Sequence, residues 1–289
     1  MLTSATRGVV LQVSATSAAQ FTIGRVVTYG MTGMAIVVVP IYQAETAPKV
    51  LRGMFGSTIQ LMIVFGQLVA TLITFGTQHI RGSRGWHIPI GLQLIMPALI
   101  MTLLPLLPES PRWLLSRGRR DDAVRSLGRL RKAAADELET EMETIAYAHA
   151  ASGGQGRATW AEVFNARNRR RTAVAVLAMF GQQVTGQAFP SQYGVIFYQS
   201  QGFANQAFLF NVLSAVVGLV AVIITWFYVD AVGRRPVLLI GGSMMGAFLF
   251  ILGAMGAIGR TRLNGAEKNL TVASLMMFSF SFNLSWAPV

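Results

Sequence analysis

Cysteine is absent from this chain of 289 residues, and charged residues are scarce. Without cysteine, no disulfide and no thiolate metal site can form. Only 12% of the residues are charged, whereas soluble domains carry roughly 25%. Hydrophobic residues make up 53% of the chain, and the mean hydropathy is +0.50. This composition argues against an ordinary soluble enzyme and predicts an all-α membrane protein.

Long uncharged apolar runs account for most of the sequence. Seven runs approach or exceed the roughly 20 residues that a helix needs to cross a 30 Å hydrocarbon core. The predicted spans are Thr22–Gln43, Gly56–Thr77, His87–Leu107, Ala173–Tyr198, Ala207–Val229, Val237–Ile258 and Leu270–Val289. A shorter run, Gly8–Thr16, is interpreted as the outer half of an eighth span.

Basic residues outnumber acidic ones by 24 to 12, which raises the question of a nucleic-acid partner. If Thr22–Gln43 runs from outside to inside, seventeen basic residues lie on inside connections and six on outside ones. This asymmetry follows the positive-inside rule, so no nucleic acid is expected. We predict three segments: a partial N-terminal bundle at residues 1–109, a cytoplasmic helical linker at 110–171, and a partial C-terminal bundle at 172–289. Within the linker, Asp121–His149 is predicted to be helical.

Three glutamines interrupt the predicted span Ala173–Tyr198 within the segment Gly181–Gln187. A carboxamide without a partner in hydrocarbon costs about 2–7 kcal/mol, so these side chains must face other helices or a wet cavity. Side chains that both donate and accept hydrogen bonds suit a neutral ligand rich in hydroxyl groups. The alternative is that they join helices, where each bond contributes about 0.6 kcal/mol on average.

Three charged motifs lie at predicted cytoplasmic ends of spans. They are Pro40–Gly53, Pro108–Leu114 and Asp230–Pro236. Taken alone, the prolines stop helices at the membrane surface and the arginines anchor them on the cytoplasmic side.

Together these motifs resemble the sugar porter family of the major facilitator superfamily, in its fungal form. The matching elements are the Gly-Arg at 24–25, Pro-x-Tyr-x-x-Glu-x-x-Pro at 40–48, the Arg-Gly at 52–53, Pro-Glu-Ser-Pro-Arg at 108–112, Gln-Gln-x-x-Gly-Gln at 182–187 and Asp-x-x-Gly-Arg-Arg-Pro at 230–236. The resemblance covers essentially the whole chain and implies the family's helical bundle. Seven full transmembrane helices and one partial one would be present of an expected twelve, so a fragment truncated at both ends is expected.

The resemblance also implies a sugar site between two halves that open alternately to each side of the membrane. The implied substrate-binding residues are Gln60, Gln67, Gln182, Gln183, Gln187 and Tyr193. Cytoplasmic ion pairs across the halves would form the gate, drawn from Glu45, Arg52, Glu109, Arg112, Asp230, Arg234 and Arg235.

The chain departs from the family pattern at several positions near the implied site. Ala188 and Gly218 stand where many members have asparagine, so two sugar-facing carboxamides are expected to be lost. Pro190 is expected to kink the helix near the site.

We therefore expect a carrier of a monosaccharide, or of an oligosaccharide or polyol, that is either facilitative or proton-coupled. The alternative is a transporter-like sensor or an inactive remnant, and an organic acid ranks lower as ligand because no midplane cation is present. No catalytic group, metal or cofactor is expected, because the spans hold no buried carboxylate pair or metal-ligand cluster. The expected setting is a monomer surrounded by lipid in the plasma membrane.

Overall fold

The structure is a computed structural model. It describes residues 2–48, 52–80, 82–131, 135–151, 160–166, 168–258 and 264–288. At residues 2, 52–54, 135, 149, 151, 160, 161 and 228–231, the description covers the backbone and not the side chain.

The described chain is built from α-helices joined by short connections. In order they are α1 Leu2–Val13, α2 Ala18–Thr46, α3 Arg52–Thr77, α4 Arg84–Leu92, α5 Ile95–Leu103, α6 Pro111–Ser116, α7 Arg120–Leu130, α8 Ala135–Ala151, α9 Trp160–Val163, α10 Arg169–Val184, α11 Ala188–Ser200, α12 Ala207–Val232, α13 Arg234–Ile258 and α14 Gly265–Ser285. The all-α fold predicted from composition is confirmed.

Within the described residues, five helical segments are long and apolar enough to cross a membrane. They are Ala18–Thr46, Phe55–Thr77, Arg84–Leu106, Ala207–Phe227 and Arg234–Ile258. These segments correspond to five of the seven predicted spans. The predicted span Leu270–Val289 is also helical, but its helix, α14, begins and ends earlier, at Gly265 and Ser285.

The predicted span Ala173–Tyr198 is wrong as a single helix, because it is divided between α10 and α11. The two helices are separated at Thr185–Gln187, where Gly186 has a φ of +83°. Pro190 explains the position of the break, since a proline removes the hydrogen bond to the carbonyl four residues earlier and its ring clashes with that carbonyl. That carbonyl belongs to Gly186. The expected kink is therefore a complete interruption of the helix.

The same effect divides the predicted span His87–Leu107 into α4, α5 and a final 3₁₀ turn at Leu104–Leu106. Pro97 stands in the first turn of α5, and the carbonyl that it cannot bond belongs to Gln93. At this point the helix tightens, because Gln93 N–H donates to Ile90 O at 3.1 Å, three residues back. The span nevertheless continues as one nearly uninterrupted helical run.

The helices group into two compact units. One comprises Met1–Phe55 and Trp86–Trp160, and the other comprises Gly56–Gly85 and Ala161–Val289. The second unit therefore takes α3 from the N-terminal part of the chain. The three segments predicted from the sequence follow the order of spans along the chain, and their boundaries remain a prediction.

In the first unit, α1 packs closely against α2 through glycines. A Cβ added at Gly24 would lie 2.8 Å from Gly8 O, which is closer than real Cβ contacts. Gln12 is fully buried beside this contact, and its Nε2 donates to Thr28 Oγ1 at 2.8 Å. Small residues and interhelical hydrogen bonds are the means by which membrane helices associate without a hydrophobic driving force.

The linker forms two helices, α7 and α8, rather than the one helix predicted for Asp121–His149. Leu114, Leu127 and Met142 are buried together between α6, α7 and α8. On the outer side of α7, Arg119 hydrogen-bonds Asp122 and Arg125 adds its charge, which together hold the pKa of that carboxyl below its usual range.

In the second unit, α14 lies against α12 and α13. Gly241 on α13 leaves no room for a Cβ, because Ser285 of α14 occupies that position. Thr225 on α12 donates to Leu284 O of α14 at 3.0 Å and is itself fully buried. Phe278 and Met245 are buried between α14 and α13. Ten residues of α14 are buried, and this helix therefore carries much of the unit's interior.

Candidate functional site

A polar cavity lies inside the second unit, where α3, α11, α12 and α14 meet. Its lining includes Gln67 of α3, Asn211 and Ser214 of α12, and Ser279 and Asn283 of α14. The space available to the centre of a water-sized sphere is about 20 Å³, slightly more than one water molecule requires. Amides and hydroxyls therefore surround a narrow space within otherwise apolar helices.

Gln187, just before α11, lines this cavity and carries an unsatisfied acceptor. Its Oε1 is buried and has no hydrogen-bond partner among the described residues. Leaving a buried polar atom unpaired costs about 1–3 kcal/mol, so this oxygen calls for a donor. The break between α10 and α11 places it here, because Gly186 turns the chain immediately before it.

Tyr198 of α11 closes one side of the cavity. Its ring is 2% exposed, and its hydroxyl is 2.9 Å from Ser214 Oγ on α12. Because the serine also donates to Phe210 O within its own helix at 2.9 Å, the tyrosine is the donor in this pair. This hydrogen bond joins α11 to α12 and orients both hydroxyls.

Asn283 of α14 lies opposite Gly218 of α12. A Cβ added at Gly218 would lie 3.0 Å from Asn283 Nδ2 and 3.7 Å from Val64 Cγ1 of α3. Asn283 Nδ2 donates to Ser279 O at 2.9 Å, and Asn283 Oδ1 accepts a long hydrogen bond from Gln60 Nε2 at 3.5 Å. The amide of Asn283 therefore occupies the space that a side chain at position 218 would take.

A carboxamide lies beside one of the positions where the family pattern has asparagine and this chain does not. The asparagine is missing at Gly218, as expected, and Asn283 brings an amide to the same place from another helix. Next to Ala188, where the other carboxamide is missing, Gln187 supplies an amide to the cavity lining.

The predicted binding glutamines differ in their surroundings. Gln67 and Gln187 line the cavity, and Gln60 reaches it through Asn283. Gln182 Nε2 instead donates to Trp286 O, following α14, at 3.0 Å. Gln183 is exposed on α10 and lies outside the cavity lining. The role of each of these residues in binding remains a prediction.

Tyr193, also predicted to bind, is not among the residues that line the cavity, although Ser191, two residues earlier on α11, is. It is 54% exposed, and its ring is stacked against Phe189 with the centroids 6.4 Å apart. Its assignment to the substrate also remains a prediction.

The polar residues of the cavity that sequence reasoning missed include Tyr198, Asn211, Ser214 and Asn283. The signal that would have found them is the one applied to the glutamines, since a polar side chain inside an apolar span requires a partner. Without the structure, nothing indicated that these four meet at one place.

Two of the predicted gating residues in the first unit, Glu45 and Glu109, accept hydrogen bonds from serines. Ser110 Oγ donates to Glu45 Oε2 at 2.5 Å, which ties the start of α6 to the end of α2. Ser126 donates to the backbone carbonyl of Glu109. Arg112 is exposed and lines the same surface cleft as Glu45.

The remaining predicted gating residues are Arg52, Asp230, Arg234 and Arg235. Arg234 and Arg235 are exposed at the start of α13. The side chains of Arg52 and Asp230 lie outside the described part of the chain. Ion pairing between the halves therefore remains a prediction.

Arg131 joins the linker helices to the end of a membrane helix. Its Nη1 donates to Thr46 O, the last residue of α2, at 3.0 Å. Its Nε and Nη2 each donate to Glu141 of α8 at 3.3 Å. A cation at a helix C-terminus is also favoured by the helix dipole. The sequence did not single out this residue.

The motif order, the helical fold and the polar cavity agree with a comparison against protein families. Residues 4–289 match the model of the family described as sugar (and other) transporter. The chain belongs to this family, and it is an integral, multi-pass membrane protein.

Curated relatives extend the match. The chain is 32% identical over 289 residues to sugar transport protein MST7 of Oryza sativa subsp. japonica, covering 98% of this chain and 56% of the relative. It is 30% identical over 291 residues to the major facilitator-type transporter ecdD of Aspergillus rugulosus, covering 97% of this chain and 54% of the relative. The chain therefore spans about half the length of the curated relatives it matches.

The fold itself matches a solved transporter. The xylose transporter XylE from E. coli, in a partially occluded inward-open conformation, superposes with a TM-score of 0.78 at 22% identity. The superposition covers 99% of this chain and 65% of that one. The major facilitator fold predicted from the motifs is confirmed.

Proposed function

We propose that this chain carries the central helices of a sugar carrier that works by alternating access. The observation that carries the proposal is the cavity lined by Gln67, Gln187, Asn211 and Asn283 within apolar helices. Hydroxyl groups donate and accept at once, so a neutral sugar can satisfy both the amide N–H groups and the free oxygen of Gln187. Relatives named for sugar transport support this choice of ligand.

The substrate in this proposal is a monosaccharide, with an oligosaccharide or polyol as wider possibilities. Gln60, Gln182, Gln183 and Tyr193 would join the binding residues when the cleft is wider than the roughly 20 Å³ space described here. Sugars carry no charge, which suits a cavity whose described lining contains amides and hydroxyls but no ionisable carboxylate or basic group.

Gating by charged residues at the cytoplasmic side is part of the same proposal. Glu45, Arg112 and Arg131 lie around one surface cleft of the first unit, where the linker helices meet the end of α2. Breaking these polar contacts would release the linker as the inside opens. The proposed carrier acts as a monomer in the plasma membrane, needs no cofactor, and is either facilitative or coupled to protons.

Uptake by proteoliposomes tests the proposal. The purified chain is reconstituted, and entry of radiolabelled D-glucose and D-xylose is measured against protein-free liposomes. Saturable entry that unlabelled sugar competes away is expected. Entry that an acidic exterior accelerates would indicate proton coupling, whereas no dependence on the pH gradient would indicate facilitation.

Two results would contradict the carrier. Binding of labelled sugar without any uptake would instead support a sensor, and neither binding nor uptake by folded protein would support an inactive chain. Circular dichroism of the same preparation establishes whether the helices are folded.

A further inference from the structure

Gly218 and Asn283 share one volume at the edge of the cavity. Gly218 is buried on α12, and the position of its missing Cβ is 3.0 Å from Asn283 Nδ2 and 3.5 Å from Asn283 Cγ. A separation of 3.0 Å is tighter than ordinary contact, so the Asn283 amide would have to shift by a few tenths of an ångström to admit even a single Cβ. A whole carboxamide at position 218 would compete for the volume that the Asn283 amide now fills, and Gly218 leaves that volume to Asn283.

The hydrogen-bonding capacity of Asn283 is only partly used. An amide has two N–H donors and an oxygen with two acceptor sites. Among the described residues, Asn283 Nδ2 makes one bond, to Ser279 O at 2.9 Å. Its Oδ1 accepts from Gln60 at 3.5 Å, near the limit for a hydrogen bond. One donor and most of the acceptor remain available to a ligand.

The neighbouring lining complements this spare capacity. Gln187 presents an unpaired acceptor oxygen at the same cavity, and Asn211 lies on the same face of α12 as Gly218, seven residues earlier. A single sugar hydroxyl at Asn283 could donate to Oδ1 and accept from the free N–H. A role in joining helices alone would not use this free donor and acceptor.

We propose that Gly218 and Asn283 together form one substrate subsite, which holds a sugar hydroxyl and accepts a single carboxamide from either α12 or α14 but not from both. The inference rests on the proposed sugar-carrier function, and it names two residues that set the selectivity of the carrier for its sugar. Asn283 supplies the amide in this chain, and Gly218 makes room for it.

An exchange experiment tests the subsite in the full chain in lipid nanodiscs. The variants are Gly218→Asn, Asn283→Ala and the double variant, and the readout is the Kd for labelled D-glucose and D-xylose. Gly218→Asn is expected to weaken binding about tenfold, because two amides compete for one volume. Asn283→Ala is expected to weaken it to a similar extent, because the amide is missing. The double variant moves the amide from α14 to α12 and is expected to return to within about threefold of the parent.

Gly246→Asn is the matched control for introducing an asparagine at a helix glycine. Gly246 lies on α13, and a Cβ there meets nothing within 4 Å. Its sugar affinity is expected to equal that of the parent. The proposal is overturned if the double variant binds no better than the weaker single variant, or if Gly218→Asn binds as tightly as the parent.

Failure of the proposed function gives a different result. If the folded parent binds neither sugar, the carrier proposal fails. Thermal unfolding of the same variants then tests whether a side chain at position 218 and the Asn283 amide compete for one volume. A midpoint lowered by Gly218→Asn and restored in the double variant would support it. Additive lowering by the two changes would overturn it.

Discussion

At the scale of single residues, the amides in the apolar helices differ by whether they have partners. Gln182 has a partner, because its Nε2 donates to Trp286 O at 3.0 Å, and it therefore joins α10 to the end of α14. Gln187 Oε1 has none among the described residues, although it is buried. The two glutamines lie five residues apart, yet one stabilises the protein and the other costs stability. An unfavourable group at a cavity is the usual sign of a site kept for binding.

Replacing Gln187 with methionine is expected to stabilise the protein and impair sugar binding. Methionine fills a similar volume without the unpaired oxygen, which removes a cost of about 1–3 kcal/mol. The thermal midpoint in detergent should therefore rise, while the Kd for labelled D-glucose should increase.

Gln182→Met is the matched control and should act in the opposite direction on stability. It leaves Trp286 O without its donor, so the thermal midpoint should fall. If both variants shift the midpoint in the same direction, the distinction between the two amides is incorrect.

At the scale of helices, the break between α10 and α11 shapes the site. Gly186 adopts a φ of +83°, a conformation that other L residues rarely take, and a Cβ there would meet nothing within 4 Å. The requirement for glycine is thus one of backbone conformation and not of space. Pro190 prevents the two helices from joining across this point.

Gly186→Ala is expected to destabilise the protein by about 1–2 kcal/mol, the cost of a left-handed conformation for a residue with a side chain. Equilibrium unfolding in mixed micelles would measure the change in the free energy of unfolding. A stabilised variant would show that the turn at Gly186 is not maintained.

Gly246→Ala provides the comparison, since this glycine lies inside α13 and also has open space around it. Alanine in a helix interior is favoured over glycine by roughly 0.5–1 kcal/mol, so this variant should be slightly more stable. Both glycines have room for a Cβ, and only Gly186 has a positive φ. A difference in stability between the two alanine variants therefore reports backbone conformation and not crowding.

At the scale of the whole molecule, the distribution of charge predicts which side of the membrane each connection faces. The connections predicted to lie inside, with the helix ends that adjoin them, hold most of the basic residues, including Arg169–Arg171 in the first turn of α10. Because the chain has no cysteine, any cysteine introduced into it is a unique chemical reporter.

Two single-cysteine variants test this topology in intact cells. Ser116→Cys lies at the exposed end of α6 in the linker, and His79→Cys lies in the exposed connection after α3. A membrane-impermeant maleimide added outside should label only the second variant, and both after permeabilisation. Labelling of Ser116→Cys in intact cells would place the linker outside, and the cysteine-free parent should never be labelled.

Much of the helical architecture follows from the sequence because apolar runs of membrane length have few other structures available. Backbone groups in lipid must be paired within the segment, which leaves the helix as the solution for a single run. The runs Gly56–Thr77 and Val237–Ile258 therefore correspond closely to α3 and α13. The motif order likewise predicted the family that the comparison confirmed.

Errors arose where local chemistry interrupts a run without changing its hydropathy. Pro190 and Gly186 divide one predicted span, and the first linker helix, α7, ends at Leu130 because Arg131 takes an extended conformation. Hydropathy alone does not register a single proline or a left-handed glycine, so the runs looked continuous.

The sequence by itself determined where the helices lie and that polar groups within them need partners. Only the tertiary structure decided which partners these are: Gln182 bonds Trp286, Gln187 remains free, and Asn283 covers Gly218. The reason is that lipid is as apolar as a protein interior, so a membrane helix need not show an amphipathic pattern that reveals its inward face. That face is selected by close contacts between helices, such as Gly241 against Ser285, which join residues far apart in the chain.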